Sequence, residues 1–111
     1  AEDEPNLVLE GIAGAERIKR MMVSIRNNLP TEVAGYKVEK VIDYLHGYED
    51  IPASNVLRFY LDNDSWFAVR PSGTEPKIKF YFYTKQASRE EALAVNAKIK
   101  EAVLDIVNAI E

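Results

Sequence analysis

The sequence feature that most constrains the fold is a strict alternation of apolar and polar residues between positions 77 and 83. There, Ile78, Phe80 and Phe82 alternate with lysines and tyrosines. Successive side chains of a β-strand point to opposite faces of the sheet, so this pattern predicts a strand with one buried face. A sheet that buries one face needs a second layer to cover it, and the rest of the chain must supply that layer.

Two segments with helical periodicity are suited to form the second layer. From about Ile12 to Leu29, apolar residues recur at intervals of three and four, and Pro30 ends the segment. The other segment begins at Ser88, a residue type that caps helix N-termini, and carries an apolar stripe toward the C-terminus. Acidic residues in its first turn complement the helix dipole. Both segments are predicted to be amphipathic helices that pack on the sheet.

Three further segments are predicted to complete the sheet. Alternation and aromatic content favour a strand from Tyr36 to about Tyr44 or Leu45. Val56–Leu61 and Trp66–Arg70 are predicted to form a hairpin around a polar turn at residues 62–65. The order α-β-β-β-β-α predicts a two-layer α+β domain, in which a mainly antiparallel four-stranded sheet packs with two helices.

Length and composition limit the domain organisation and the chemistry. A chain of 111 residues matches one domain, so we expect residues 7–111 to form a single domain after a disordered lead-in at residues 1–6. The absence of cysteine excludes a disulfide framework and a thiolate metal site. His46 is the only histidine, which excludes a histidine-based metal cluster or a catalytic triad within one chain. We therefore expect no catalytic residue and no metal-binding residue here.

The charge distribution argues against nucleic acid as a partner. The formal net charge is −4 at pH 7, whereas nucleic-acid binders usually carry a basic stripe. The densest cationic stretch, Lys77 to Lys79 with Lys85, is too short to follow a duplex. Apolar runs are only a few residues long, too short for a membrane span or a signal peptide. We expect a cytoplasmic chain with neither nucleic acid nor membrane as partner.

The connection between the last two predicted strands carries the candidate chemistry. Residues 70–79 read Arg-Pro-Ser-Gly-Thr-Glu-Pro-Lys-Ile-Lys. Arg70 offers a planar fork of donors that matches phosphate, and Ser72 and Thr74 add hydroxyl groups. Gly73 can adopt a positive φ, which would let successive backbone N–H groups converge on an anion. These residue types are suited to anion binding, and they are equally typical of a rigid hairpin connection that binds nothing. The residue types alone leave both interpretations open.

Three charged residues follow the glycine in this segment. Lys77 and Lys79 are expected on one face of the next strand, where they raise the local positive potential. Glu75 would repel a phosphate placed beside it. We therefore expect Glu75 to turn away from the anion, and to pair with a lysine or bind a sugar hydroxyl.

The segment from Arg70 to Lys79 closely resembles the C-terminal signature of the α-D-phosphohexomutase superfamily. This group includes phosphoglucomutase, phosphomannomutase and phosphoglucosamine mutase. The flanking Phe80-Tyr81-Phe82 is most similar to the phosphoglucomutase branch. The order of elements also resembles the family's fourth, C-terminal domain, which has a TATA-binding-protein-like fold.

The resemblance implies a role for individual residues of the loop. In the family, this loop binds the phosphate group of the hexose phosphate that is not being transferred at that moment. Arg70, Ser72, Gly73 and Thr74 occupy the matching positions, and Lys79 is expected to assist. The implied ligand is glucose 1-phosphate, glucose 6-phosphate or the bisphosphate.

The resemblance also implies a larger parent enzyme. That isomerase would interconvert hexose 1-phosphate and 6-phosphate through a phosphoserine in another domain, with Mg²⁺ bound by a further domain. The sequence contains neither of those loops and no sugar-recognition loop. We expect this chain to hold no cofactor, to have the parent's remaining domains as partners, and to be catalytically inactive alone.

Other interpretations stay open on the sequence. The parent could be a phosphomannomutase or a phosphoglucosamine mutase, since sugar choice depends on a loop that is absent here. A free-standing anion-binding or protein-interaction module would equally lack catalytic loops. Nucleic-acid binding, by analogy with the TATA-binding fold, conflicts with the net charge.

Overall fold

A computed structural model describes residues 14–72, 75–85 and 88–110, together with the backbone of residues 7–12. Its elements are β1 (Leu7–Ile12), α1 (Ala15–Asn27), β2 (Glu32–Val33), β3 (Tyr36–Asp43), β4 (Leu57–Leu61), β5 (Trp66–Pro71), β6 (Lys77–Tyr83) and α2 (Arg89–Asn108). All neighbouring strands are antiparallel, in the order β1-β6-β5-β4-β3-β2. The predicted α+β class, with two helices packed on an antiparallel sheet, is confirmed.

The predicted count of four strands is wrong, because the described sheet contains six. β1 pairs with β6 along its whole length, from Leu7 opposite Phe82 to Ile12 opposite Lys77. β2 has only two residues and joins β3 through a tight turn in which Ala34 and Gly35 both have positive φ. Neither strand has enough alternation of its own to stand out in the sequence.

The predicted helices are present with shorter bounds. The first covers Ala15–Asn27 inside the predicted span, and the second begins after Ser88. The Ser88 hydroxyl accepts a hydrogen bond from the backbone N–H of Glu91 at 3.2 Å, which confirms the predicted N-cap. The strand that was predicted to reach Tyr44 or Leu45 ends at Asp43.

One face of the sheet and both helices enclose the core. The alternate residues of β4, β5 and β6 that face the helices are almost fully buried: Leu57, Phe59, Leu61, Phe67, Val69, Ile78, Phe80 and Phe82. The helices contribute mainly Ile18, Met21, Met22, Ile25, Ile99, Val103 and Val107. Removal of this apolar surface from water is the main stabilising contribution to the fold.

A chain of buried polar groups fixes α2 against the sheet. Thr84, just after β6, is hydrogen-bonded to the Asn96 side chain of α2. Ser65, in the turn between β4 and β5, has its hydroxyl 3.5 Å from that of Thr84. Ser65 and Asn96 are each 1% exposed, so these groups need partners inside the protein. The network therefore ties the hairpin turn to the helix layer.

The opposite side of the sheet, which we call the open face, has neither α1 nor α2 against it. It presents Arg58, Tyr60, Trp66, Ala68, Arg70, Lys77, Lys79, Tyr81 and Tyr83, the residues that alternate with the core positions of β4 to β6. Trp66 is nevertheless only 4% exposed. The Arg58 guanidinium lies 4.1 Å from the centre of the Trp66 ring, and Tyr83 stacks beside that ring at 5.9 Å. Side chains of the open face thus shield its tryptophan without a third layer.

An ion pair joins α1 to the end of β3. The Asp43 carboxylate accepts from Arg26 Nε at 2.9 Å and from Nη2 at 3.1 Å, and it also accepts from the backbone N–H of Leu45. The hydrogen bond from Arg26 holds the pKa of Asp43 below its usual value, although partial burial opposes the shift. The carboxylate therefore stabilises the fold in its charged form.

We expect Asp43→Asn to lower the free energy of unfolding by about 0.5–1 kcal/mol at pH 7, the upper range for a partly exposed pair. Because the pKa of Asp43 is lowered in the folded state, its stabilisation is complete above the unfolded pKa, near 4, and is lost as pH falls through the folded pKa. Urea denaturation at neutral and acid pH measures this, and the difference between the two proteins should vanish in acid.

The matched control is Glu101→Gln. Glu101 is exposed in the middle of α2, away from both ends of the helix dipole. This substitution should leave the unfolding free energy unchanged. An equal destabilisation by Asp43→Asn at neutral and acid pH would contradict the electrostatic explanation.

Candidate functional site

The motif at residues 70–79 spans the end of β5, the following loop and the start of β6. Arg70 lies opposite Lys79 in the strand register, and Pro71 lies opposite Ile78. The backbone N–H of Ser72 donates to the carbonyl of Lys77 at 2.9 Å and closes the loop. The motif therefore connects two strands, as its sequence predicts.

Two hydrogen bonds within the loop fix the backbone of Glu75. Its N–H donates to the Ser72 hydroxyl at 3.2 Å, and its carbonyl accepts from the Lys77 N–H at 2.7 Å. Short side-chain-to-backbone bonds of this kind define tight turns. The predicted donors Gly73 and Thr74 lie outside the described residues. The Ser72 N–H is engaged by Lys77, so Ser72 does not contribute its amide to a set of N–H groups converging on an anion.

Arg70 is the most accessible cation that the motif places on the open face. It is exposed at the end of β5, and across the described part of the chain it makes no hydrogen bond or ion pair. Arg26, in contrast, is paired with Asp43. Arg58 lies over the Trp66 ring and donates to the Tyr60 hydroxyl. A guanidinium fork held in water at a strand end can bind a planar or tetrahedral oxyanion.

Lys77 and Lys79 lie on the same face as Arg70. Both are half-buried, while the intervening Ile78 is 2% exposed, so the predicted placement of the two lysines is confirmed. Lys77 Nζ lies 3.6 Å from Glu75 Oε2, which confirms the expectation that Glu75 pairs with a lysine. Three cationic side chains of the motif thus belong to one corner of the open face.

The strand register adds two features that sequence reasoning missed. The side chains of directly opposed residues such as Arg70 and Lys79 are neighbours, and like charges at such positions repel each other. β1, which the sequence did not predict, also brings Glu10 opposite Lys79 in register. Residues 7–12 have no strong strand pattern of their own, so the sequence did not indicate that they pair with β6 and place Glu10 opposite Lys79.

A depression of about 490 Å³ lies between the loop and α1. Its walls are largely apolar and include Ile18 and Met22 of α1 and Pro71 and Pro76 of the motif. Ser72 and Glu75 also line it. Part of the loop therefore borders the space beside α1.

The described residues contain no group of three or more histidines or carboxylates placed to hold one metal ion. Within the same part of the chain, neither helix is long and apolar enough to cross a membrane.

Comparison with known proteins shows the family of the chain. The family model described as "Phosphoglucomutase/phosphomannomutase, C-terminal domain" matches residues 10–102. A probable phosphomannomutase from Haemophilus influenzae is 38% identical over 96 residues, which cover 86% of this chain and 19% of the relative. A phosphoglucomutase from Staphylococcus aureus is 40% identical over 103 residues, covering 82% of this chain and 18% of the relative.

The chain thus spans about a fifth of the length of these relatives. The family match includes the whole motif together with β2 to β6 and α1. This chain belongs to the family of phosphoglucomutase/phosphomannomutase C-terminal domains.

Proposed function

We propose that this chain is the substrate-phosphate-binding domain of a phosphohexomutase. It binds the phosphate group of a hexose phosphate that is not being transferred. The observation that carries the proposal is the state of Arg70, which is exposed and makes no bond to any described residue. Its position beside Lys79, within the motif shared with the family, supports the same role.

Each residue of the site has a distinct task in this proposal. Arg70 binds two phosphate oxygens through its planar fork, whereas Lys79 acts as a point charge. Ser72 reaches the ligand through its hydroxyl, since its N–H is bound to Lys77. Gly73 and Thr74 supply backbone N–H groups, and Thr74 adds a hydroxyl. Together these groups position the phosphate and perform no covalent chemistry.

The chemical step belongs to other domains of the proposed parent. Phosphoryl transfer needs a nucleophile in line with the phosphorus and neutralisation of the developing charge. We assign the phosphoryl donor to a phosphoserine outside this chain. A hydroxyl of the sugar is the nucleophile, and the bond between phosphorus and the serine oxygen breaks as the new bond forms. We assign the charge neutralisation to Mg²⁺ bound by a further domain. We also propose the cytoplasm as the compartment, since hexose phosphates are charged metabolites that do not cross membranes unaided.

Among the family's substrates, we propose glucose phosphates. The Phe80-Tyr81-Phe82 segment after the motif favours the phosphoglucomutase branch. Relatives of similar identity bear both names, phosphoglucomutase and phosphomannomutase. Turnover of glucose 1-phosphate, mannose 1-phosphate and glucosamine 1-phosphate by the full-length parent distinguishes the branches. A preference for either of the last two sugars would reassign the substrate and leave the phosphate role unchanged.

Inorganic phosphate or glucose 6-phosphate, added to this chain alone, should move the backbone amide signals of Gly73 and Thr74 most in an NMR titration. The Ser72 amide should move less, because it already donates to Lys77. We expect a dissociation constant in the millimolar range or weaker, because a few charge-assisted bonds barely exceed the cost of association in a wet site. Added salt should weaken binding further.

The turn at residues 62–65 serves as the internal control for this titration. It lies at the other end of β5 and should not respond. Largest shifts at that turn would contradict the site. Micromolar binding of a hexose phosphate would instead identify a free-standing anion-binding module.

In the full-length parent, Arg70→Ala should lower kcat/KM by about ten- to a hundredfold, since it removes a contact of roughly 1.5–3 kcal/mol. Folding should be unaffected, because Arg70 is exposed. Arg70→Lys should restore only part of the activity, because an ammonium group cannot reproduce the fork. Steady-state kinetics measures both variants. The control is Arg89→Ala, at another exposed arginine, which should keep full activity. Full activity of Arg70→Ala would refute the proposed role of Arg70.

A further inference from the structure

One carboxylate lies among the cations of the phosphate-binding motif. Glu75 pairs with Lys77 at 3.6 Å, and their side chains are 59% and 31% exposed. The backbone of Glu75 is held at both its N–H and its carbonyl, by Ser72 and Lys77. Only the side chain of Glu75 therefore has to move to break the ion pair.

We propose that Glu75 is a built-in competitor that occupies Lys77 until phosphate displaces it, and that Lys77 is a further phosphate-binding residue. The inference rests on the proposed function of the motif. Lys77 lies on the same face as Arg70 and Lys79, so a phosphate held by Arg70 is on the side of the sheet that Lys77 can reach.

The strength of the pair suits an exchange. An ion pair as exposed as this one contributes little net stability, so a ligand displaces it at small cost. A phosphate dianion carries twice the charge of a carboxylate and has more acceptor oxygens, so it takes Lys77 from Glu75. A singly charged ion such as chloride gains much less by the same exchange. Glu75 therefore makes the site selective for multiply charged anions.

The test is a double-mutant cycle on this chain with inorganic phosphate as the probe, followed by NMR. Glu75→Gln preserves the backbone bonds and should tighten phosphate binding about two- to fivefold. Lys77→Met keeps the apolar stem and should weaken binding about three- to tenfold. In the Lys77→Met background, Glu75→Gln should tighten phosphate binding clearly less than it does in the wild type, because Glu75 and phosphate no longer compete for Lys77.

A second readout separates this exchange from a structural effect. Chloride should weaken phosphate binding more steeply in Glu75→Gln than in the wild type, because the Glu75 carboxylate no longer competes with small anions at Lys77. Glu101→Gln, which removes an exposed carboxylate of α2, should change neither quantity. Well-dispersed amide spectra of every variant establish that each one folds.

The possible failures are distinguishable. If Arg70→Ala leaves phosphate binding unchanged, the proposed function of the loop is wrong. Suppose instead that Arg70→Ala weakens phosphate binding. If Glu75→Gln then leaves phosphate affinity unchanged, or raises it equally in the wild type and in Lys77→Met, the phosphate role stands and the competition by Glu75 is refuted. Unchanged binding by Lys77→Met would remove Lys77 from the site.

Discussion

The register between β5 and β6 is the constraint on which the rest of the structure depends. It places Phe67 beside Phe82 in the core, with ring centres 6.4 Å apart, and Phe67 stacks in turn on Phe59 at 4.7 Å. The same register sets Arg70 opposite Lys79 on the open face. A slip of one residue would exchange the two faces of β6, exposing its aromatic core residues and burying its lysines. Core packing therefore fixes the geometry of the cationic corner.

The open face shows how a two-layer domain keeps a strand-end arginine accessible. A third layer over the sheet would cover Arg70, yet a bare sheet would expose Trp66. Arg58 resolves this conflict, because its guanidinium covers the Trp66 ring and donates to the Tyr60 hydroxyl at 3.3 Å. The aromatic end of the face is thereby shielded by its own side chains. At the end near the loop, Arg70 stays exposed. The two arginines differ because, among the described residues, Arg58 lies over an aromatic ring and Arg70 does not.

The sequence predicted the elements whose signal is local and missed those that depend on partners. The alternation in β6 and the Ser88 cap identify their elements without reference to the rest of the chain. β1 becomes a strand by pairing with β6, and β2 is only two residues long, so neither has a sufficient local pattern. At the site, residue types predicted that Glu75 pairs with a lysine, as it does with Lys77, whereas the phosphate donors stay a prediction. The bond from the Ser72 N–H to Lys77 follows from the hairpin register, which residue types do not specify.

The weak binding that we expect of the isolated domain is consistent with the role proposed for it. Water screens a charge at an exposed strand end, so the contacts of Arg70 contribute little until water is excluded. Closure of neighbouring domains over the open face would strengthen the same contacts without adding any. A site that bound tightly while open would retain the product after the domains separate. In the proposed role, an exposed arginine and a carboxylate that regains its lysine when phosphate leaves would favour release as well as capture, as the proposed reversible isomerisation of the parent requires.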